Sequence, residues 1–155
     1  MPAVLFVCTA NLCRSPMAEA LFRSILINTR ADWQDWKIGS AGTWAVSVKT
    51  AMPYSQEMMK ELGLDISRHR SRTISNELLN AADLILTMES SHKEAIQIEF
   101  SSRSSKIFML SEMAGKTADI PDPAGKRREE FIEITNLIRQ YLIDGFERIL
   151  TLSYS

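Results

Sequence analysis

Cys8 and Arg14 stand with five residues between them, and Ser15 follows directly. A thiol is a useful nucleophile only as the thiolate. A forked guanidinium grips two oxygens of a phosphate. It also answers the charge that spreads over a transferring phosphoryl group. Converging loop amides and a helix start favour the same anions. Cys-x5-Arg-Ser therefore suits attack of sulfur on a phosphate ester, with a phosphocysteine as the product of the first step. The Ser15 hydroxyl is placed to donate to the Cys8 thiolate and help it leave in the second step.

Such a set works only if local structure brings the ends of the motif together. Val4-Leu5-Phe6-Val7 reads as a short buried strand. Ser15 suits an N-cap and Pro16 the first helical position, so a helix is expected from Pro16 to about residue 30. Cys8 through Arg14 is then a loop between a strand end and a helix start. Residues 36–40 read as a second strand, with a loop over Ser40-Ala41-Gly42-Thr43-Trp44. Residues 53–62 and 76–81 read as helices, 83–88 as a buried strand, 89–100 as a helix and 106–110 as the last strand. Residues 111–125 read as a long loop, and 126–150 as the longest helix. On that helix Phe131, Ile134, Ile138, Tyr141, Leu142 and Phe146 share one side. Trp33 and Trp36 read as packing residues. Strands separated by helices imply a parallel sheet with right-handed crossovers. In such sheets ligands bind beyond the strand C-termini, where the Cys8 loop lies.

The composition is that of an ordinary globular chain. At 155 residues, 45% hydrophobic and 24% charged, it can bury a real core. A net charge of −1 gives no reason to expect a nucleic-acid partner. No apolar run approaches the roughly 18 residues of a membrane helix. The short apolar run near Met1 lacks a basic lead, which argues against a secretory signal. The two cysteines both lie in the loop, which fits a reducing cytoplasm better than a disulfide scaffold.

A departing ester oxygen needs a proton unless it is a stable anion. Asp119 and Asp122 both lie in the late loop, and Pro123 restricts the backbone of Asp122 to extended conformations. Composition and spacing leave both open. Arg68, Arg70 and Arg72 surround His69 and read as a solvated basic patch.

The stretch Val7-Cys8-Thr9-Ala10-Asn11-Leu12-Cys13-Arg14-Ser15-Pro16-Met17-Ala18-Glu19-Ala20 resembles the opening of the low-molecular-weight protein tyrosine phosphatases. Ser40-Ala41-Gly42-Thr43, Ser67 through Arg72, Ala82 through Met88 and Asp122-Pro123 follow in the family's order. The resemblance implies a single domain over 1–155. It would be a three-layer α/β fold with a four-stranded parallel sheet in order 2-1-3-4 and helices on both faces. It implies a cysteine-dependent phosphatase that hydrolyses phosphotyrosine in a protein substrate and releases inorganic phosphate, with neither metal nor cofactor. Cys8, Arg14, Ser15 and Asp122 take the catalytic places. Thr9, Ala10, Asn11, Leu12 and Cys13 form the substrate loop, and Asn11, Ser40 and His69 orient that loop and Ser15. Trp44 would give an aromatic wall beside it.

Two places in the chain, three residues in all, depart from the family pattern. Ala10 replaces the usual Gly, and Ala124 and Gly125 stand where many tyrosine-specific members carry aromatic residues. The same fold also serves protein-arginine phosphatases, which carry Thr where this chain has Leu12. It serves arsenate reductases too, which pass a disulfide to additional cysteines. Leu12 favours an aryl ring, and no cysteine lies outside the loop. A phosphate-binding module without turnover would have use for Arg14 but none for Cys8 or Asp122.

Overall fold

The computed structural model describes residues 1–100 and 106–154. Strand β1 (Ala3–Cys8) lies at the centre of a sheet with β2 (Lys37–Gly42), β3 (Leu84–Thr87) and β4 (Ile107–Met109). All pairings are parallel and the order is 2-1-3-4, as expected. Alternation along β1 divides the core. Val4, Phe6 and Cys8 face one layer of helices, while Leu5 and Val7 face the other.

The first layer is built on α1 (Arg14–Thr29), α2 (Pro53–Glu61), α5 (Leu110–Met113), α6 (Arg128–Asp144) and α7 (Phe146–Ser153). Phe22 of α1 joins these elements, with its ring 5.8 Å from Phe6, 5.9 Å from Trp36 and 6.0 Å from Phe146. Trp36 is buried and Trp33 packs against the same core, so both tryptophans act in packing. The second layer is thinner. Leu79 of α3 (Asn76–Ala81) and Ile96 of α4 (Ser90–Glu99) cover Leu5, Val7 and Ile85.

Several boundaries differ from the sequence reading. β2 runs on past Ser40 through Ala41 and Gly42, which the sequence reads as loop, so that Ser40, Ala41 and Gly42 pair with Phe6, Val7 and Cys8. Leu110–Met113 is a short helix that takes the last residue of the expected strand and the first three of the expected loop, its start held by Glu112 Oε1, which accepts from the Met109 amide at 3.1 Å. The long C-terminal helix breaks at Gly145. A Cβ there would lie 2.5 Å from Cβ of Met113, so only glycine lets the chain pass this close. The break lets α7 turn its Ile149 and Leu150 into the core. Among the described residues, no helix is long and apolar enough to cross a membrane.

Candidate active site

Between the end of β1 and the start of α1 the chain has only Thr9 to Cys13. That tight arc needs one residue with positive φ, and Asn11 supplies it at 59°. Asparagine tolerates this region well. Ala10 is not in it, so the methyl that replaces the family's glycine meets no backbone strain. Gly42 makes the arc possible from beneath. A Cβ there would lie 2.4 Å from the Thr9 carbonyl oxygen.

The helix start differs from expectation. Cys13 is the N-cap of α1, Arg14 opens the helix, and Pro16 falls two residues further in. Pro16 still costs nothing, because first-turn amides have no intrahelical acceptor. The Ser15 hydroxyl is therefore not a cap. It lies 3.0 Å from Cys8 Sγ. Asn11 Nδ2 donates to Ser15 Oγ at 2.8 Å and to Ser40 Oγ at 3.0 Å. The Ser15 hydroxyl also lies 3.5 Å from the Ala41 carbonyl, so the sulfur is the nearer of its two possible acceptors. His69 Nε2 donates to the Asn11 carbonyl at 2.7 Å, and the Arg72 amide donates to Asn11 Oδ1 at 3.0 Å. Ser40 passes its own proton to Glu19 Oε1 at 2.7 Å. Asn11, Ser15, Ser40 and His69 thus form one network, with Glu19 and Arg72 as members that the sequence reading missed.

Among the described residues, the main-chain amides of Thr9 to Cys13 have no protein acceptor. Five unpaired donors around a thiol make a nest for an anion. The uncapped start of α1 adds its partial positive charge. Arg14 is 1% exposed, and its position is set from outside the loop. Its Nη1 donates to Glu89 Oε2 at 2.5 Å and to the Ile120 carbonyl at 2.7 Å. Nη2 lies 3.7 Å from Asp122 Oδ2.

Asp122 is half exposed, and its Oδ1 accepts from the Ala124 amide at 3.0 Å. Asp119 is engaged elsewhere, its Oδ1 accepting from the Ser90 amide at 2.7 Å at the start of α4. Only Asp122, of the two, borders the cleft over Cys8. That cleft is small, about 40 Å³, and is lined by Cys8, Ala10, Leu12, Cys13, Arg14, Met52, Asp122 and Ala124. Larger surface grooves of about 750 and 520 Å³ lie elsewhere and do not reach the Cys8 loop.

Trp44 does not form the expected wall. Its amide donates to the Thr9 carbonyl at 2.8 Å, but its side chain is 71% exposed and outside the cleft lining. Met52 takes the flanking place instead, held where its amide donates to the Leu12 carbonyl at 2.8 Å. Thr9 also turns away from the cleft, toward His92. The Glu89 amide donates to His92 Nδ1 at 3.1 Å, so the neutral ring carries its proton on Nε2 and donates to Thr9 Oγ1 at 2.8 Å. Burial, with help from the Arg14 charge and against Glu89, pushes His92 down to about 4. Burial likewise pushes the Cys13 thiol up to about 12, partly opposed by the buried Ser55 hydroxyl beside it.

Glu89 and His92 were invisible as site residues in the sequence. Their one signal was position, directly after a buried strand on the side where parallel sheets bind ligands. Among the described residues, no cluster of His, Cys, Asp and Glu has the makings of a metal site.

Comparison with known proteins agrees with this geometry. The sequence pattern of the family described as low molecular weight phosphotyrosine protein phosphatase matches residues 3–150. A probable low molecular weight protein-tyrosine-phosphatase of Ralstonia solanacearum is 38% identical over 137 residues, covering 88% of each chain. The protein-arginine-phosphatase of Bacillus subtilis is 36% identical over 142 residues, covering 88% of this chain and 92% of that one. The crystal structure of a low molecular weight protein tyrosine phosphatase from T. tengcongensis superposes with a TM-score of 0.88 at 35% identity, over 96% of this chain and 99% of that one. A nearly full-length family match, a shared sheet order and one thiol–guanidinium loop lead to a single assignment: the chain belongs to the low molecular weight phosphotyrosine protein phosphatase family.

Proposed function

We propose that residues 1–155 act as one domain that hydrolyses phosphotyrosine in proteins through a phosphocysteine on Cys8. The observation that carries this is the Cys8 thiol at 3.0 Å from the Ser15 hydroxyl, in a loop whose amides have no protein acceptor among the described residues. The amides and Arg14 hold the phosphoryl oxygens. Cys8 attacks phosphorus while Asp122 gives its proton to the leaving tyrosyl oxygen. A phenol has a pKa of about 10 and leaves poorly without that proton. Asp122, now a carboxylate, then takes a proton from water as the water attacks the phosphocysteine. Sulfur departs as the thiolate, which Ser15 steadies by its hydrogen bond, and inorganic phosphate is released. No step calls on a metal or a cofactor, and a working thiolate suits the reducing cytoplasm.

Leu12, Met52 and Ala124 give the mouth an apolar lining that fits an aryl ring better than a guanidinium. The similarity to the Bacillus subtilis protein-arginine-phosphatase makes phosphoarginine the second substrate to try. The decisive experiment compares turnover of phosphotyrosine, phosphoserine and phosphoarginine peptides, with rapid acid quench to trap phosphate on Cys8. Turnover of phosphotyrosine with a trapped phosphocysteine is expected. Activity that survives Cys8→Ser, or preference for phosphoarginine, overturns the reading.

A further inference from the structure

His92 is 3% exposed, and no step of the proposed reaction uses its imidazole. Burying such a ring is costly unless its nitrogens find partners. Both do, and each holds a residue of the anion site. Nδ1 accepts from the Glu89 amide at 3.1 Å, and Nε2 donates to Thr9 Oγ1 at 2.8 Å. Nε2 also lies 3.7 Å from Glu89 Oε2, the carboxylate oxygen that anchors Arg14 Nη1. Burial holds the pKa of the ring down to about 4, so it stays neutral around pH 7 and its two nitrogens keep these opposite roles.

The platform beneath the ring is fixed. The Met88 amide donates to the Val7 carbonyl at 3.0 Å, and the Ile120 amide donates to the Met88 carbonyl at 2.9 Å. Thr87 Oγ1 donates to the Glu89 carbonyl at 3.1 Å, and the Ser90 amide donates to Asp119 Oδ1 at 2.7 Å. The turn between β3 and α4 is thereby tied to β1 on one side and to the late loop on the other. The Cys8 loop is held from the β2 side by its backbone, where the Cys8 and Thr9 carbonyls accept from the Thr43 and Trp44 amides at 2.9 and 2.8 Å. Among the described residues, Oγ1 is the only group of Thr9 held from the β3 side.

We propose that His92 is a positioning residue for phosphoryl transfer, a strut that sets the spacing between Thr9 at one end of the anion nest and Arg14 at the other. This rests on the phosphatase reading above. Through Thr9 the ring fixes the amide next to the nucleophile. Through Glu89 it fixes the carboxylate that aims the guanidinium. Donors placed in this way contribute most when charge spreads in the transition state, so the strut acts on kcat more than on KM.

The test separates the strut from the helix start that His92 also serves. Thr9→Val keeps the shape of the side chain and leaves α4 untouched, but removes the acceptor from Nε2. His92→Asn keeps an oxygen for the Glu89 amide, but is too short to reach Thr9. Each should lower kcat for p-nitrophenyl phosphate roughly tenfold and leave KM nearly unchanged. Thr9→Ser should recover most of what Thr9→Val loses. Thr9→Val/His92→Asn should be no slower than the slower single variant, because both changes cut one link. Calorimetry reads the strut without turnover. Orthovanadate, which adopts the five-coordinate geometry of the transition state, should bind roughly tenfold more weakly to each single variant, while inorganic phosphate binds nearly as it does to wild type. If wild type binds both anions but hydrolyses no phosphate ester, the phosphatase reading fails, and the vanadate-to-phosphate ratio still tests the strut. Wild-type kcat and vanadate affinity in Thr9→Val, additive losses in the double variant, or no recovery in Thr9→Ser overturns the proposal. So does a His92→Asn that loses urea stability with kcat intact, since the ring would then serve only the start of α4.

Discussion

Gly42→Ala probes how closely the sheet must approach the Cys8 loop. The added Cβ would lie 2.4 Å from the Thr9 carbonyl oxygen and 3.0 Å from both Ala10 C and Asn11 N. Ordinary contact begins near 3.4 Å, so the backbone atoms must part by about 1 Å. Gly42 itself cannot retreat easily. It is paired with Cys8 in the sheet, its amide donates to the Arg72 carbonyl at 2.8 Å, and its carbonyl accepts from the Ile74 amide at 2.9 Å. The loop must yield instead. Overpacking of this kind costs about 1–3 kcal/mol of stability. A displacement of about 1 Å at a reacting group costs on the order of 100-fold in rate. Gly42→Ala should therefore lower kcat/KM for p-nitrophenyl phosphate on the order of 100-fold, weaken inhibition by phosphate, and lower the urea midpoint. Gly39→Ala is the control on the same strand, where a Cβ meets the far end of the Arg72 side chain at 2.8 Å and no backbone closer than 4 Å. That flexible group can move, and activity should be nearly unchanged. Wild-type turnover and phosphate inhibition in Gly42→Ala, or an equal loss in Gly39→Ala, would refute the reasoning.

Asp122, Asp119 and His92 each carry a further expected outcome. Asp122→Ala should slow phosphocysteine formation by roughly 10²–10⁴-fold, more for phenyl phosphate than for p-nitrophenyl phosphate, because the poorer leaving group needs the proton more. Asp119→Ala should spare chemistry and cost some stability through the lost bond to the Ser90 amide; single-turnover rates across aryl phosphates decide, and an unchanged leaving-group dependence in Asp122→Ala would mean that the acid lies elsewhere. His92 has a folded value of about 4 against 6.5 when unfolded, so the unfolded chain takes up a proton that the folded chain refuses as pH falls through that window. Its contribution to stability should be complete above 6.5 and lost toward pH 4; urea midpoints measured against pH should show a slope that His92→Gln lacks.

Much of the scaffold was legible because local and global signals agree. The apolar runs at 4–7 and 84–87 and the punctuation between them name a parallel sheet, and the motif places its nucleophile at a strand end. The departures have physical causes. Ser15 reads as a cap because its hydroxyl usually serves one, but here the hydroxyl is spent on sulfur. Ser40, Ala41 and Gly42 look like a loop because small residues make poor strands. Gly42 lacks a side chain where the backbone of Thr9 to Asn11 lies against it. Gly145 hid a break inside a strong helical period. Glu89, His92, Met52 and Arg72 reach the site from separate elements, and no spacing along the chain encodes such meetings.

The anchoring of Arg14 bears on how the protein comes to life. Its two main partners lie 75 and 106 residues away along the chain. The loop and α1 can form early, from neighbours in sequence, but the guanidinium is aimed only after β3 has joined the sheet and the late loop has closed over it. Contacts of such long sequence separation arrive late, because chain entropy must be spent before they reward it. A newly made chain thus has its nucleophile well before it has a formed anion site. Turnover appears only with the last native contacts, so activity reports completion of the fold rather than the presence of its motif.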